Sequence, residues 1–415
     1  MLKKIFKSGF LHIFASEVIN KILIFLGGIV LVRIIPKEEY GSYAYAQNIY
    51  NFFMIASGLG LTSGLLQICC ERDEENAWEY YKKGYRYAEL FNLLLGILIF
   101  LISYVITFPL ENANKYFRLF SLLPIMYISV ELIQIYNRYT MQNQKYSYLS
   151  ILNTGLVFGL GVIGALLYKV EGLIIFQCLG YILTDVFAVK IQKFPLGKLI
   201  KKCKNFLSDW NILIKLSLVS MLNNSASVIL YNLDVFVLGI VMTEETVVAS
   251  YKVATYIPNA LSFIPTALVV YIYPYFAQNS ENTGWVKKNY IRLVKWFALF
   301  NFLLVMLLFV AAPWIIRLVF GNQYIDSLNV FRILIISYFF NATFRNTTGN
   351  ILASQRKYKT NLIIGILSGV INVLGDFILI PQYGGEGAAI TTLMVTISAS
   401  FFMVVSFFYY LHKKA

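Results

Sequence analysis

Eight ionisable side chains stand out among those inside stretches otherwise apolar enough for a bilayer. Lys21, Lys252 and Arg345 are basic; Glu17, Glu131, Asp185, Asp234 and Asp376 are acidic. Each costs about 2.5–3.5 kcal/mol at the membrane centre if it faces lipid, so each is expected to face a partner or a wet cavity. Glu17 and Lys21 are four residues apart on one helix face and can neutralise each other. Asp234 falls about seven residues before the end of its span and Lys252 about five into the next, which at 1.5 Å per residue puts them at similar depth. Two readings stay open. The charges can be salt pairs that make insertion tolerable. Alternatively, Lys21, Lys252 and Arg345 can line a cationic cavity for an anionic cargo, while Glu17 and Asp234 exchange a proton or Na⁺. Asn223 and Asn259 would add hydrogen bonds for a polar, sugar-like cargo, although interhelical bonding explains a single asparagine as well.

The elements that must hold these groups are helices. The chain of 415 residues is 58% hydrophobic and 13% charged, against about 25% charged in a soluble domain. A run of about 20 apolar residues spans the hydrocarbon core. Candidate spans fall at 10–34, 40–67, 84–108, 117–139, 146–168 and 171–190, then at 210–241, 247–277, 289–316, 328–352, 360–381 and 387–411. The sequence therefore predicts an all-α polytopic membrane protein with 12 transmembrane helices. Its expected units are an N-terminal six-helix lobe (1–192), a cytoplasmic amphipathic linker (193–209) and a C-terminal six-helix lobe (210–415). In the linker Phe194, Leu196, Leu199, Ile200 and Phe206 alternate with lysines, a pattern suited to the inner leaflet.

The lobes are duplicates. Residues 90–100 (LFNLLLGILIF) reappear at 299–309 (LFNFLLVMLLF), with 7 of 11 positions identical. Ser42, Tyr43, Ala46, Ile49 and Asn51 match Ser250, Tyr251, Ala254, Ile257 and Asn259, 208 residues later. Six spans per repeat insert both copies the same way up, so a pseudo-two-fold axis along the membrane normal is expected. Duplication of this kind is typical of transporters. Gly27, Gly28, Pro124, Pro258 and Pro265 sit inside spans, either as ordinary packing or as hinges.

A net charge of +14 suggests nucleic acid until its distribution is read. Lysines and arginines crowd the segments that alternating spans place on the same side of the membrane as the N-terminus, such as Lys82, Lys83, Lys287, Lys288, Lys413 and Lys414. That bias predicts both termini cytoplasmic, a secondary attraction to anionic lipids, and no nucleic-acid partner. The basic start before a long apolar run, with Glu17 and Lys21 within it, reads as an uncleaved first helix. Cys69, Cys70, Cys178 and Cys203 fall in or on the cytoplasmic side of spans, so no disulfide is expected. Gly159–Gly164 matches G-x-G-x-x-G but lies within a span with no preceding strand, so it is rejected as a dinucleotide site. There is no P-loop motif, and His12 and His412 are the only histidines, so neither an ATPase nor a metal centre is expected. No cofactor is implied.

Several segments resemble the polysaccharide-transporter branch of the multidrug/oligosaccharidyl-lipid/polysaccharide (MOP) exporter superfamily. They are Leu31–Tyr43, with a Pro and acidic residues before an aromatic-Gly pair; Leu233–Gly239; Phe320–Tyr324; Ala353–Lys359; and Ile371–Val373 with Leu379–Pro381 and Tyr383–Ala389. The resemblance implies a Wzx-type flippase of MATE/MOP-like fold, in which the two lobes form a V. Such a protein moves an undecaprenyl-pyrophosphate-linked oligosaccharide, an O-antigen or capsule repeat unit, from the inner to the outer leaflet of the bacterial inner membrane. It implies alternating access, coupling to H⁺ or Na⁺, and polysaccharide polymerase and chain-length-regulator partners. The related lipid II flippase carries cavity-facing cations on its first and eighth helices, where Lys21 and Lys252 are similarly placed.

Three alternatives compete. A MATE-like multidrug exporter shares the superfamily, but its usually cationic cargo favours a net acidic cavity. A membrane polymerase or glycosyltransferase needs large extramembrane loops with acid/base groups, and the outer loops here are short. A scaffold leaves buried charges in both halves without a use.

Overall fold

The computed structural model describes residues 10–199 and 210–414. Its described residues are almost wholly helical and divide into two compact units, Met1–Asn232 and Leu233–Ala415. The unit boundary lies within the seventh span. Most of the expected linker, residues 200–209, lies outside the described residues, as does Cys203.

Unit 1 begins with α1 (Phe10–Ile34) and α2 (Lys37–Met54). A short 3-10 turn leads into α3 (Leu61–Cys70), and α4 (Glu74–Val105) follows. The break between α2 and α3 has left-handed backbone at Gly58, Leu59 and Gly60. Asn92 of α4 clamps it. Its side chain accepts from the Gly58 amide at 2.6 Å and donates to Pro124 O at 2.7 Å and Ser57 Oγ at 3.0 Å. Next come α5 (Ala113–Phe120), α6 (Leu123–Tyr139) and α7 (Asn143–Lys190).

α7 is two spans joined by a reversal at Tyr168 and Lys169. The arms touch so closely that a Cβ on Gly164 would lie 2.2 Å from the Gly172 carbonyl oxygen. Lys169 takes positive φ there, a cost of roughly 1–2 kcal/mol, and its ammonium pairs with Glu39 at 2.5 Å. After α7 comes the single turn α8 (Leu196–Leu199). Phe194 and Leu199, on the apolar face expected at the leaflet, are buried in unit 1 instead. Phe194 meets the rings of Tyr85 and Tyr136, and Arg86 donates to Leu199 O, so aromatic packing takes up this apolar surface.

The helix α9 (Trp210–Met242) carries the boundary between units. Unit 2 continues with α10 (Glu245–Leu261), α11 (Phe263–Gln278) and α12 (Thr283–Ile315). A π-helical turn (Ile316–Phe320) and a 3-10 segment (Asn322–Ser327) precede α13 (Leu328–Phe340). A second π turn, Asn341–Asn346, interrupts the path to α14 (Thr347–Ser354). The last element, α15 (Tyr358–Lys414), again holds two spans. It reverses at Gly384, whose φ of +53° suits a residue without a Cβ.

Eight helices are long and apolar enough to cross a membrane, or nine with the bent pair formed by α2 and Ser57–Cys70. The reversals in α7 and α15 add one crossing each, and α9 another, giving the expected twelve among the described residues. Leu303, Leu307 and Trp314 on α12 are more than half exposed, an apolar surface that suits lipid contact.

Candidate functional site

The densest polar constellation in unit 2 is built around Asp234, near the end of α9. Its carboxylate accepts from the Tyr251 hydroxyl of α10. It also accepts from Thr392 Oγ1 at 2.8 Å and Asn372 Nδ2 at 3.2 Å, both on α15. Asn372 and Asp376 are four residues apart on the first arm of α15, so one helix face presents both. Thr391 and Thr392 come from the returning arm. The arms meet closely, since a Cβ on Gly375 would lie 2.6 Å from Thr391 Cγ2.

Asp376 is 0% exposed, and neither of its carboxylate oxygens has a hydrogen-bond partner among the described residues. The neighbouring Thr391 hydroxyl donates to Gly387 O at 3.1 Å. A buried, unpaired charge costs several kcal/mol, and a second carboxylate beside it raises that cost. Either a shared proton or a bound cation relieves it. The oxygen donors of Asp234, Asp376, Asn372 and Thr392 suit a hard cation. Among the described residues no group of three or more His, Cys, Asp or Glu comes together, so the site has two carboxylates and neutral oxygens.

Asp234 is engaged by Tyr251, Asn372 and Thr392. Lys252 is half-buried on α10, the residue after Tyr251. Asn259 is half-buried on the same helix. Arg345 is half-buried within the π turn Asn341–Asn346 and has no ion-pair or hydrogen-bond partner among the described residues. π-helical turns inside α-helices occur frequently at functional sites.

The remaining expected residues lie in unit 1. Glu17 and Lys21 are both exposed on α1. They do not pair; Glu17 accepts from the Tyr146 hydroxyl at 3.5 Å. The side chain of Asn223 lies outside the described residues. Asp234 is thus joined to groups the sequence did not single out as a site: Tyr251, Asn372 and Thr392. The available signal was the Asn-x-x-x-Asp spacing of Asn372 and Asp376 on an apolar span.

Residues 30–329 match the family described as "Polysaccharide biosynthesis protein". Among solved structures, the chain is similar to a lipid II flippase MurJ in an inward closed conformation. Identity is 15%, coverage 95% of this chain and 87% of that one, and the TM-score 0.72. It is similar to an inward-facing multidrug resistance MATE family transporter of the MOP superfamily at 14% identity, 95% coverage of both chains and TM-score 0.71. A MOP superfamily transporter from Pyrococcus furiosus follows at 15% identity, 97% and 94% coverage and TM-score 0.60. No curated protein sequence matches the chain. At these identities the solved structures establish the fold, which is that of MOP-superfamily transporters. The chain is a multi-pass membrane protein.

Proposed function

The chain belongs to the polysaccharide biosynthesis protein family, and on that premise we propose that it flips an undecaprenyl-pyrophosphate-linked oligosaccharide across the bacterial cytoplasmic membrane. The fold is common to a lipid II flippase and to multidrug transporters, so the charged groups must decide between them. Arg345 carries the argument. It is a half-buried guanidinium at membrane depth, on a π turn, with no acid against it. Such a group needs an anion from elsewhere, and its planar fork matches a pyrophosphate bidentately. Lys252, in the same unit, adds a second positive charge. The lipid tail stays in the bilayer while the pyrophosphate and sugars cross in contact with polar groups.

Asp234 and Asp376 are the coupling site in this reading. Na⁺ or H⁺ occupies the carboxylate pair in one state and leaves it in the other, so the gradient biases alternating access. Both termini are cytoplasmic, and a polymerase and chain-length regulator take up the product.

The test is a deletion strain carrying the parent, Arg345→Ala or Arg345→Lys. With Arg345→Ala at parental expression, we expect surface polysaccharide to fall at least about tenfold while lipid-linked repeat units accumulate at the cytoplasmic face. Arg345→Lys recovers part of the loss, because Lys is a point charge without the fork. Unchanged surface glycan with Arg345→Ala would remove the anion-site argument. Altered drug susceptibility on deletion, with glycan unaffected, would favour the multidrug exporter.

A further inference from the structure

Unit 1 lines a half-open cavity of about 420 Å³ that the Asp234 site does not involve, within the size range of small-molecule sites. Among the described residues no Lys, Arg or His lines it, and Glu131 is the only carboxyl group that does. Its remaining polar lining includes the amides of Gln47, Asn51 and Gln177 and the hydroxyls of Thr62 and Ser63. Aromatic rings complete the wall. Tyr50 stacks on Phe120 at 5.0 Å between ring centres, and Tyr127 meets Tyr181 edge to face at 6.3 Å.

Gln177 points to a ligand. It is 8% exposed, lines the cavity, and makes no hydrogen bond among the described residues. Its side chain runs over Gly161, where a Cβ would stand 3.2 Å from Gln177 Cγ and 2.9 Å from Leu173 Cδ1. A primary amide has two donors and one acceptor. Those of Gln177 are not among the fully buried atoms that lack a partner, so they face the cavity and are open to whatever fills it.

We propose that this cavity binds a non-acidic pyranose ring of the transported glycan, an inference that rests on the flippase reading above. The C–H faces of a sugar ring pack on tyrosine and phenylalanine, as amphipathic groups do at aromatic surfaces. Ring hydroxyls supply both donors and acceptors, which Gln47, Asn51, Gln177 and Glu131 need in combination. The pyrophosphate does not belong here, because no cation among the described lining residues offsets its charge. For the same reason the cavity disfavours a sugar bearing a carboxylate. A lipophilic cation has Glu131 to approach but offers the Gln177 amide no hydrogen bond.

The experiment uses the full chain in lipid nanodiscs. The probes are undecaprenyl pyrophosphate and undecaprenyl-pyrophosphate-linked oligosaccharide extracted from the strain that encodes the protein. The parent is expected to bind the glycan-bearing lipid at least about tenfold more tightly than the bare lipid. Gln177→Leu is expected to abolish that preference while leaving affinity for the bare lipid unchanged; leucine at this position suits an apolar span. If Gln177→Leu is not recovered folded, Glu131→Gln decides by the same readout. Variants that retain the parental preference overturn the sugar site while the flippase reading stands. A parent that binds neither lipid overturns both. Tight binding of tetraphenylphosphonium, lost in Glu131→Gln with glycan preference intact, assigns the cavity to lipophilic cations and also overturns the proposal.

Discussion

The two units carry the same asparagine and the same tyrosine in their repeated segments, yet use them differently. Asn92 in unit 1 and Asn301 in unit 2 occupy matching places, and both are 0% exposed. Asn92 engages its oxygen with Gly58 N and its nitrogen with Pro124 O and Ser57 Oγ, holding a backbone break. Asn301 donates to Thr343 Oγ1 at 3.0 Å, and its oxygen has no partner. Tyr43 accepts from Gln47, whereas its counterpart Tyr251 donates to Asp234. Asp234 itself has Leu26 at the matching offset in unit 1. The duplication kept the polar anchors. Unit 1 uses its asparagine to fix backbone, and unit 2 uses its tyrosine to hold a carboxylate.

The largest test of this contrast is a pair of substitutions. Asn92→Ala orphans a buried amide and a carbonyl, each worth about 1–3 kcal/mol, so it should destabilise the protein by roughly 2–5 kcal/mol. Asn301→Ala removes one interhelical bond, worth about 0.6 kcal/mol on average inside membranes. Thermal unfolding of the two purified variants measures this, and equal losses would break the contrast. Next in size is Asp234→Asn, which removes the charge that unit 1 lacks. Transport in proteoliposomes should lose its dependence on the Na⁺ or H⁺ gradient, with the coupling reduced about 5–150-fold. An unchanged response to both gradients would separate Asp234 from coupling. Smallest is the tyrosine pair. Tyr251→Phe should weaken the apparent affinity for the coupling cation by a few fold, through one lost hydrogen bond worth about 1 kcal/mol. Tyr43→Phe should leave that affinity unaltered, and a matching shift from both would show that the two tyrosines act alike.

Much of the fold was legible because apolar length is a local property. Each span announces itself, and the repeat is visible in residues 90–100 and 299–309 without any structure. The reversals at Lys169 and Gly384 were also marked, by short polar breaks between apolar runs. The site was half legible. Asp234 and Asp376 stand out as acids in apolar sequence, and Arg345 as a base. The pairing of Glu17 with Lys21 followed from helix geometry alone, but both side chains are exposed, and Tyr146 from a distant span reaches Glu17 instead. Gln177 was missed because one neutral amide in a span carries no charge penalty to betray it.

The sequence by itself determined that the chain spans a membrane many times, that its halves are copies, and which charges would be costly there. These follow from transfer free energies and from identity along the chain, neither of which needs a partner residue. Only tertiary structure decided that Asp234 meets Asn372 and Thr392, 138 and 158 residues away. Membrane spans are apolar on nearly every side, so periodicity does not reveal which face meets which neighbour. That choice is made by close contact between helices, as where the arms of α15 meet at Gly375 and Thr391.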